Sequence, residues 1–304
     1  MPGESWRGRP PTPDAAALAR QRALRRTVET LAGQVGIRNA QHASALTEAA
    51  RFIEAELSAV GLVVERQSFM TDGVVTANLI VTIAGGGAAR EIIVVGAHYD
   101  TAAPTPGADD NASGVAAVLE LARLAARRRP ARTLRFVFFA NEEPPYFQTE
   151  KMGSLVYARA CRARADDVVA AFSIESVGVF SDAPKSQHYP WPFSWFYPST
   201  GNFLAFIGNP ASRELTKHAT VAFRQHATLA SEAAVLPASI DGVGWSDHWA
   251  FWQVGYPAVM VTDTAVFRNT SYHRPTDTPE TLDYDRLERA VRGLDAVVIS
   301  LSGG

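Results

Sequence analysis

Cysteine is almost missing from the 304-residue sequence, where Cys161 stands alone. A single cysteine excludes an internal disulfide framework, and it leaves no cluster of thiolates that could hold a structural zinc ion. Any metal that this chain binds must therefore use nitrogen and oxygen ligands.

Net charge and long apolar runs are also scarce. The formal charge is −2, so no overall field would attract nucleic acid or an anionic membrane. No segment approaches the ~20 apolar residues that span a bilayer, and the N-terminal MPGESWRGRPPTPD lacks the apolar core of a signal peptide. We expect a cytoplasmic protein with a small peptide or aminoacyl substrate and no nucleic-acid or membrane partner, while export and the oligomeric state stay open.

The pattern of apolar residues divides the chain into a tail and one α/β domain. Residues 1–14 are rich in Pro, Gly and Arg, which predicts a flexible tail that ends where Asp14 can cap a helix. Residues 15–304 contain no linker and no repeat, so we predict one domain with a central mixed, largely parallel sheet flanked by helices. The predicted helices cover 14–35, 44–60, 112–129 and 283–301, with a further helical region after Pro210. The predicted strands cover 62–69, 75–84, 91–97, 134–140, 168–174, 203–207 and 258–262.

Residues of the types that bind metals follow the predicted strands. They are His98 and Asp100 after strand 91–97, Asp110 at the start of the next helix, Glu142 and Glu143 after strand 134–140, Glu175 at the end of strand 168–174, and His273 in a loop after strand 258–262. The carboxyl ends of strands in an open α/β sheet border one crevice, so we expect these side chains to meet there. Histidine and carboxylate ligands suit zinc, with cobalt or manganese as substitutes.

Six segments resemble the zinc aminopeptidases of family M28, which include secreted bacterial leucine aminopeptidases. The segments are GAHYDT (96–101), PGADDNASG (106–114), FFANEEPP (138–145), IESVG (174–178), SDHWAFW (246–252) and YHRPTDTPETLD (272–283). The resemblance extends over residues 27–299. It implies the zinc-dependent exopeptidase fold and an aminopeptidase that removes N-terminal residues from peptides.

The resemblance also implies a ligand set for two zinc ions. Asp110 would bridge both ions, Glu143 and His273 would complete one site, and His98 and Glu175 would complete the other. Two divalent cations against three carboxylates leave a slightly positive local charge, which suits the activation of a water molecule. Glu175 departs from the aspartate of the better-known bacterial enzymes, so metal occupancy is least certain at that site.

Glu142 is the expected general base. Consecutive residues of an extended chain point in opposite directions, so Glu142 can face a water molecule while Glu143 binds metal. Pro144 disfavours a helical conformation at Glu143, which supports that geometry. We expect Glu142 to accept the proton of water and to pass it to the leaving amine.

Residues around the ligands have expected supporting roles. Asp100 is the natural hydrogen-bond partner of His98, because metal-bound imidazoles donate their second N–H to a carboxylate or carbonyl. Asp277 could serve the other histidine or cap the following loop. The resemblance implies that Tyr272 stabilises an oxyanion, with a packed aromatic as the alternative, and that the peptide bond after Asp110 is cis.

Two further features have alternative readings. His248 is a candidate for the substrate pocket or for the core. In the segment HYPWPFSWFYPSTGNF, Trp191, Trp195, Phe196 and Tyr197 could wall a pocket for bulky apolar side chains, or they could form a dimer contact or a packed flap.

Two other functions compete with the aminopeptidase. One is a single-zinc aminoacyltransferase similar to glutaminyl cyclases, which metal stoichiometry would distinguish. The other is a non-catalytic binding domain, although the intact ligand set and Glu142 argue against it. A serine hydrolase has no support, because the chain contains no Gly-x-Ser-x-Gly motif.

Overall fold

The computed structural model describes residues 3–303. Its helices are α1 (Ala15–Val28), α2 (Ala43–Ser58), α3 (Gly114–Ala125), α4 (Gly153–Ala163), α5 (Arg213–His226), α6 (His248–Gln253) and α7 (Tyr284–Ser302). Its strands are β1 (Val64–Thr71), β2 (Val74–Ile83), β3 (Ala88–His98), β4 (Arg132–Phe139), β5 (Asp167–Glu175), β6 (Phe203–Gly208), β7 (Ala230–Val235) and β8 (Ala258–Thr262). A π-helical turn at Glu29–Val35 follows α1, and residues Ala108–Ser113 form a kinked turn before α3 in which Asp110 and Asn111 have non-helical backbone angles.

The strands form one sheet in the order β1-β2-β4-β3-β5-β8-β6-β7. The four central strands, β4, β3, β5 and β8, run parallel to one another, while β1, β2 and β6 pair antiparallel with their inner neighbours. The predicted parallel connection from β3 through α3 to β4 is present. The predicted fold class, a mixed and largely parallel sheet flanked by helices, is confirmed.

Helices cover both faces of this sheet, which explains why β3, β4 and β5 are apolar along most of their length. One face packs against α1, α2, α3, α5 and α7, with Leu24, Ile53, Phe136 and Phe223 in the shared core. The opposite face packs against α4 and α6 through a smaller cluster that includes Tyr157 and Phe251. None of the helices between residues 3 and 303 has the length and apolar character required to cross a membrane.

Three elements were not predicted from the sequence. β7 reads ASEAAV, which has little intrinsic strand preference, and it is a strand because it pairs in parallel with β6. Helices α4 and α6 are short, and α6 has only six residues. The predicted elements are present with ends shifted by a few residues, as expected where capping and packing fix the boundaries.

The first helix begins as predicted, because Asp14 Oδ1 accepts a hydrogen bond from Ala17 N at 2.7 Å. Before it, Ser5 Oγ accepts a hydrogen bond from Ser231 N, and the carbonyl oxygen of Gly3 accepts one from Arg224. The flexibility of residues 1–14 stays a prediction, and Met1 and Pro2 lie outside the described residues.

Gly114, at the start of α3, is expected to tolerate no side chain. A Cβ atom there would lie 2.1 Å from Asn111 Oδ1 and 2.3 Å from the carbonyl oxygen of Ile174. Gly114→Ala should lower the free energy of unfolding by about 1–3 kcal/mol, measured by urea denaturation. In the control Gly33→Ala, the nearest atom would be 3.8 Å away, and stability should hold or rise by up to ~1 kcal/mol. Equal stability of the two variants would contradict this packing.

Candidate metal centre

The ends of β3, β4 and β5 bring the predicted ligands together. His98 is the last residue of β3, Glu175 is the last residue of β5, and Glu142 and Glu143 follow β4 closely. Asp110 lies in the turn before α3. These side chains are buried, and His273 joins them from the loop between β8 and α7 with a third of its side chain exposed.

The carboxylate of Asp110 lies between the two histidines. Its Oδ1 is 3.2 Å from His98 Nε2, and its Oδ2 is 3.0 Å from His273 Nε2. Each histidine also faces a second carboxylate, since Glu175 Oε2 is 3.2 Å from His98 Nε2 and Glu143 Oε1 is 3.2 Å from His273 Nε2.

Two groups of three potential ligands result from this arrangement. One contains His98, Asp110 and Glu175, and the other contains Asp110, Glu143 and His273, with the ligand atoms of each group within 4.8 Å of one another. Asp110 belongs to both groups. A third group combines His98 with Glu142 and Glu143, so Glu142 lies at the same centre. The structure thus brings all five predicted ligands together, while their metal-binding roles stay a prediction.

The unsatisfied polar atoms of this cluster fit a metal site. Within the described part of the chain, Nε2 of His98, Nε2 of His273 and Oε1 of Glu143 are buried and have no partner in hydrogen-bonding geometry. Such orphaned atoms are costly in a protein interior, and a divalent cation would satisfy them. Imidazole and carboxylate donors together suit zinc.

The cluster also concentrates negative charge. Burial alone would lower the pKa of His98, but the carboxylates of Glu175 and Glu142 outweigh it and raise that pKa well above its ordinary value. Burial raises the pKa of Glu143 to about 7, and the nearby charge of Asp110 adds to the effect. Burial likewise raises the pKa of Glu142 well above its usual range. Without a cation the site retains protons, which bound cations would replace.

Asp100 holds the two glutamates in place through their main chain. Its Oδ1 accepts a hydrogen bond from Glu142 N at 3.0 Å, and its Oδ2 accepts one from Glu143 N at 3.1 Å. Toward His98, the nearest acceptor for Nδ1 is the Asp100 carbonyl oxygen at 3.2 Å, with the carboxylate at 3.5 Å. The expected pairing of Asp100 with His98 is therefore made mainly through its carbonyl group.

Asp277 performs the same task for the central ligand. Its carboxylate accepts hydrogen bonds from Asp109 N at 3.0 Å and from Asp110 N at 3.2 Å. Neither of the two roles considered for it, partner of His273 or cap of the following loop, describes these contacts. Asp100 and Asp277, both buried, thus each accept hydrogen bonds from two successive main-chain amides at or next to a proposed ligand.

Asn111 and Ser246 support the cluster and were not singled out from the sequence. Asn111 donates to the carbonyl oxygen of Ile174 and accepts from Gly114 N and Ser176 N, so it ties α3 to the end of β5. Ser246 Oγ donates to Glu175 Oε2 at 2.7 Å. Both residues belong to the quoted motifs, which is the signal that could have identified them.

Arg38 is a buried cation beside the centre and was also missed. Among the described residues, its guanidinium donates to main-chain carbonyl groups alone, those of Tyr99, Leu31, Gly36, Pro106 and Gly107. Burial lowers its pKa to about 10, while the negative charges of Asp100, Asp277 and Asp110 favour the charged form. No sequence pattern marks Arg38, because its partners are backbone carbonyl groups, and those of Tyr99, Pro106 and Gly107 are distant in sequence.

The other predicted features have separate outcomes. Tyr272 stacks on the ring of His273, with 4.0 Å between centroids, and it lines the adjoining cavity. The peptide bond between Asp110 and Asn111 is cis, as expected. His248 is a core residue: it is fully buried, its Nε2 bonds the carbonyl oxygen of Val243, and burial lowers its pKa to about 4.

The aromatic segment borders the cavity beside the cluster, but not through the residues expected. Tyr189, Phe193 and Tyr197 line the cavity. Trp191, Trp195 and Phe196 are instead 79%, 74% and 74% exposed and do not contribute to its wall. Of the four aromatic residues proposed from the sequence, only Tyr197 has the expected position.

Buried histidines and carboxylates at the strand ends of a mixed α/β sheet are typical of metal-dependent hydrolases. The sequence profile of peptidase family M28 matches residues 78–298, well over half of the chain. The chain therefore belongs to peptidase family M28. The expected resemblance is confirmed.

The chain is also similar to known proteins in sequence and in fold. Over 280 residues the chain is 36% identical to the uncharacterized protein YfbL of Escherichia coli K12, covering 89% of this chain and 85% of YfbL. The fold is similar to that of BSAP, a zinc aminopeptidase from Bacillus subtilis, with a TM-score of 0.73, 15% identity, and coverage of 92% and 95% of the two chains. It is also similar to Fimbriiglobus ruber glutaminyl cyclase, with a TM-score of 0.67, 20% identity, and coverage of 96% and 99%. The two structural likenesses show the shared fold.

Asp100 should control metal affinity without touching metal. Asp100→Ala removes the acceptor of two amides that orient Glu142 and Glu143, so zinc affinity should fall about 10- to 100-fold. Competition with a chromogenic chelator measures this change. The control Asp167→Ala removes an exposed carboxylate at the start of β5 and should leave affinity unchanged. Equal zinc affinity in both variants would refute the positioning role.

Proposed function

We propose that this chain is a zinc-dependent aminopeptidase that uses two metal ions and Glu142 as general base. The observation that carries the proposal is the position of Asp110, whose two oxygens face two histidines on opposite sides. One carboxylate between two such groups is the arrangement that a dinuclear centre requires. Family membership supports the peptidase class, and the donor atoms support zinc.

The proposed ligands are Asp110 shared between both ions, His98 with Glu175, and Glu143 with His273. When bound, the cations would supply Lewis acidity, which lowers the pKa of a water molecule and polarises a peptide carbonyl group. Ser246 keeps Glu175 oriented by donating to its Oε2, which compensates for the flexibility of the longer glutamate side chain.

Glu142 is placed to move the proton. Its carboxylate is buried, its Oε2 lies 3.9 Å from His98 Nε2, and its main chain is fixed by Asp100. As the water oxygen bonds to the peptide carbon, Glu142 accepts the proton of the water. It then gives that proton to the nitrogen of the leaving amine as the C–N bond breaks.

Tyr272 would assist beside this reaction. Its ring is fixed by stacking on His273, and burial raises the pKa of its hydroxyl, so the hydroxyl stays protonated and can donate a hydrogen bond. A hydroxyl at this position could stabilise charge on the carbonyl oxygen of the substrate.

Glu142→Gln should separate catalysis from metal binding. The amide keeps the size of the side chain but cannot accept the proton, so kcat should fall about 10²- to 10⁴-fold. Zinc content, measured by mass spectrometry of the metal, should match that of the wild type. Wild-type turnover in a fully metallated Glu142→Gln variant would disprove the base role.

Metal removal should abolish activity reversibly. A chelator should end the hydrolysis of aminoacyl-p-nitroanilides, and zinc should restore it up to two equivalents per chain. Hydrolysis that continues in metal-free protein would contradict the metal dependence.

The same titration tests the cyclase alternative, which the structural likeness to a glutaminyl cyclase keeps in view. One equivalent of zinc, no hydrolysis of the anilides, and cyclisation of an N-terminal glutamine would favour an aminoacyltransferase. Full activity only at two equivalents, with hydrolysis, favours the aminopeptidase. A non-catalytic binding domain would show neither reaction.

A further inference from the structure

A cavity opens beside Glu175 and Tyr272. It lies on the sheet face that carries α4 and α6, but over β6 and β7 its walls come from loop segments 189–197, 236–245 and 264–267. Tyr197 anchors the first of these segments, because its hydroxyl donates to the carbonyl oxygen of Ala233 on β7. The cavity therefore lies where loops, and not a helix, cover the sheet. It is continuous with the candidate metal centre through Glu175 and Tyr272.

The floor of this cavity is a single row of residues across four strands. Glu175 on β5 pairs with Thr262 on β8, Thr262 pairs with Ala205 on β6, and Ala205 pairs with Glu232 on β7. All four residues line the cavity, so their side chains share one face of the sheet. Three strand spacings of ~4.8 Å place the Cα atoms of Glu175 and Glu232 about 14 Å apart.

The floor of the cavity between the two carboxylates is mostly apolar, and it leaves room for a side chain. Thr262 and Ala205 are small, so they leave room above the sheet. Phe203, Ile207 and Met260 flank them with apolar surface. A long aliphatic stem would fit between the candidate metal centre and Glu232.

Glu232 closes the far end of the cavity with a half-buried carboxylate. Within residues 3–303, no hydrogen bond or ion pair holds this carboxylate. Burial raises its pKa, and the positive charges of Arg224 and Arg7 act in the opposite direction. Arg224 itself donates to the carbonyl and hydroxyl oxygens of Ser231 and to Gly3.

We infer that Glu232 makes the enzyme select peptides whose N-terminal residue is lysine or arginine. With the scissile group at the metal centre, the aliphatic stem of such a residue would lie over Thr262 and Ala205, and its cationic end would meet Glu232. An apolar residue of equal length would fill the same space but leave the carboxylate without a partner. This inference rests on the proposed aminopeptidase function.

The test compares lysyl-, arginyl-, norleucyl- and alanyl-p-nitroanilides on the zinc-loaded protein. Norleucine has the same unbranched stem as lysine without the amine, so the lysyl-to-norleucyl ratio of kcat/KM isolates the charge. The wild type should prefer lysyl, and Glu232→Gln should lower the ratio about 10- to 100-fold, as expected for a hydrogen bond between charged groups. The control Glu48→Gln, an exposed carboxylate on α2, should keep the wild-type ratio.

A second variant tests where the side chain of the substrate lies while leaving the charge of Glu232 unchanged. Ala205→Val narrows the floor between the two carboxylates and should lower the lysyl-to-alanyl ratio at least 10-fold. An unchanged ratio in Ala205→Val, or a lysyl-to-norleucyl ratio that Glu232→Gln does not alter, would overturn the inference while leaving the aminopeptidase intact. Failure of the wild type to cleave any anilide would instead refute the proposed function, and the inference would fall with it.

Discussion

Four carboxylates and two histidines lie together at the ends of β3, β4 and β5. The mutual repulsion of the carboxylates is the constraint around which the rest of the structure is arranged. The negative charge suits divalent cations, and without cations burial, together with the neighbouring carboxylates, raises the pKa values of Glu142 and Glu143. Asp100 and Asp277 give this charge density a defined geometry, because each carboxylate accepts hydrogen bonds from two successive main-chain amides, and the carbonyl oxygen of Asp100 also faces His98 Nδ1. The sheet thus brings the ligand-bearing segments together, and the two buried aspartates fix the main chain of those segments.

The supporting residues connect this centre to the rest of the fold. Asn111 joins the start of α3 to the end of β5, and Arg38 gathers the carbonyl groups of three separate segments beside the centre. Three non-glycine residues, Asn141, Ser176 and His273, have positive φ values at or next to the proposed ligands and the proposed base. Such conformations persist where surrounding contacts determine them, and they are common at functional sites.

The sequence predicted the fold class and the cluster because both depend on local signals. Apolar strands are recognisable in short windows, and His98, Asp110 and Glu175 stand where those strands end. β7 escaped prediction because its pairing with β6, and not its composition, makes it a strand. Arg38 escaped because its partners are backbone carbonyl groups, most of them distant in sequence. The row from Glu175 to Glu232 exists only through strand register. The pocket position considered for Trp191 and Trp195 was wrong, because composition does not show which face of a loop is covered, while a dimer contact through these residues stays a prediction.

The proposed dinuclear centre depends on Asp110 lying between two metal ions. Anomalous diffraction from crystals of the zinc-loaded protein, collected on both sides of the zinc absorption edge, tests this directly. Two peaks, one between Asp110, His98 and Glu175 and the other between Asp110, Glu143 and His273, are the predicted result. A single peak, or zinc bound away from Asp110 in fully loaded crystals, would contradict the dinuclear centre.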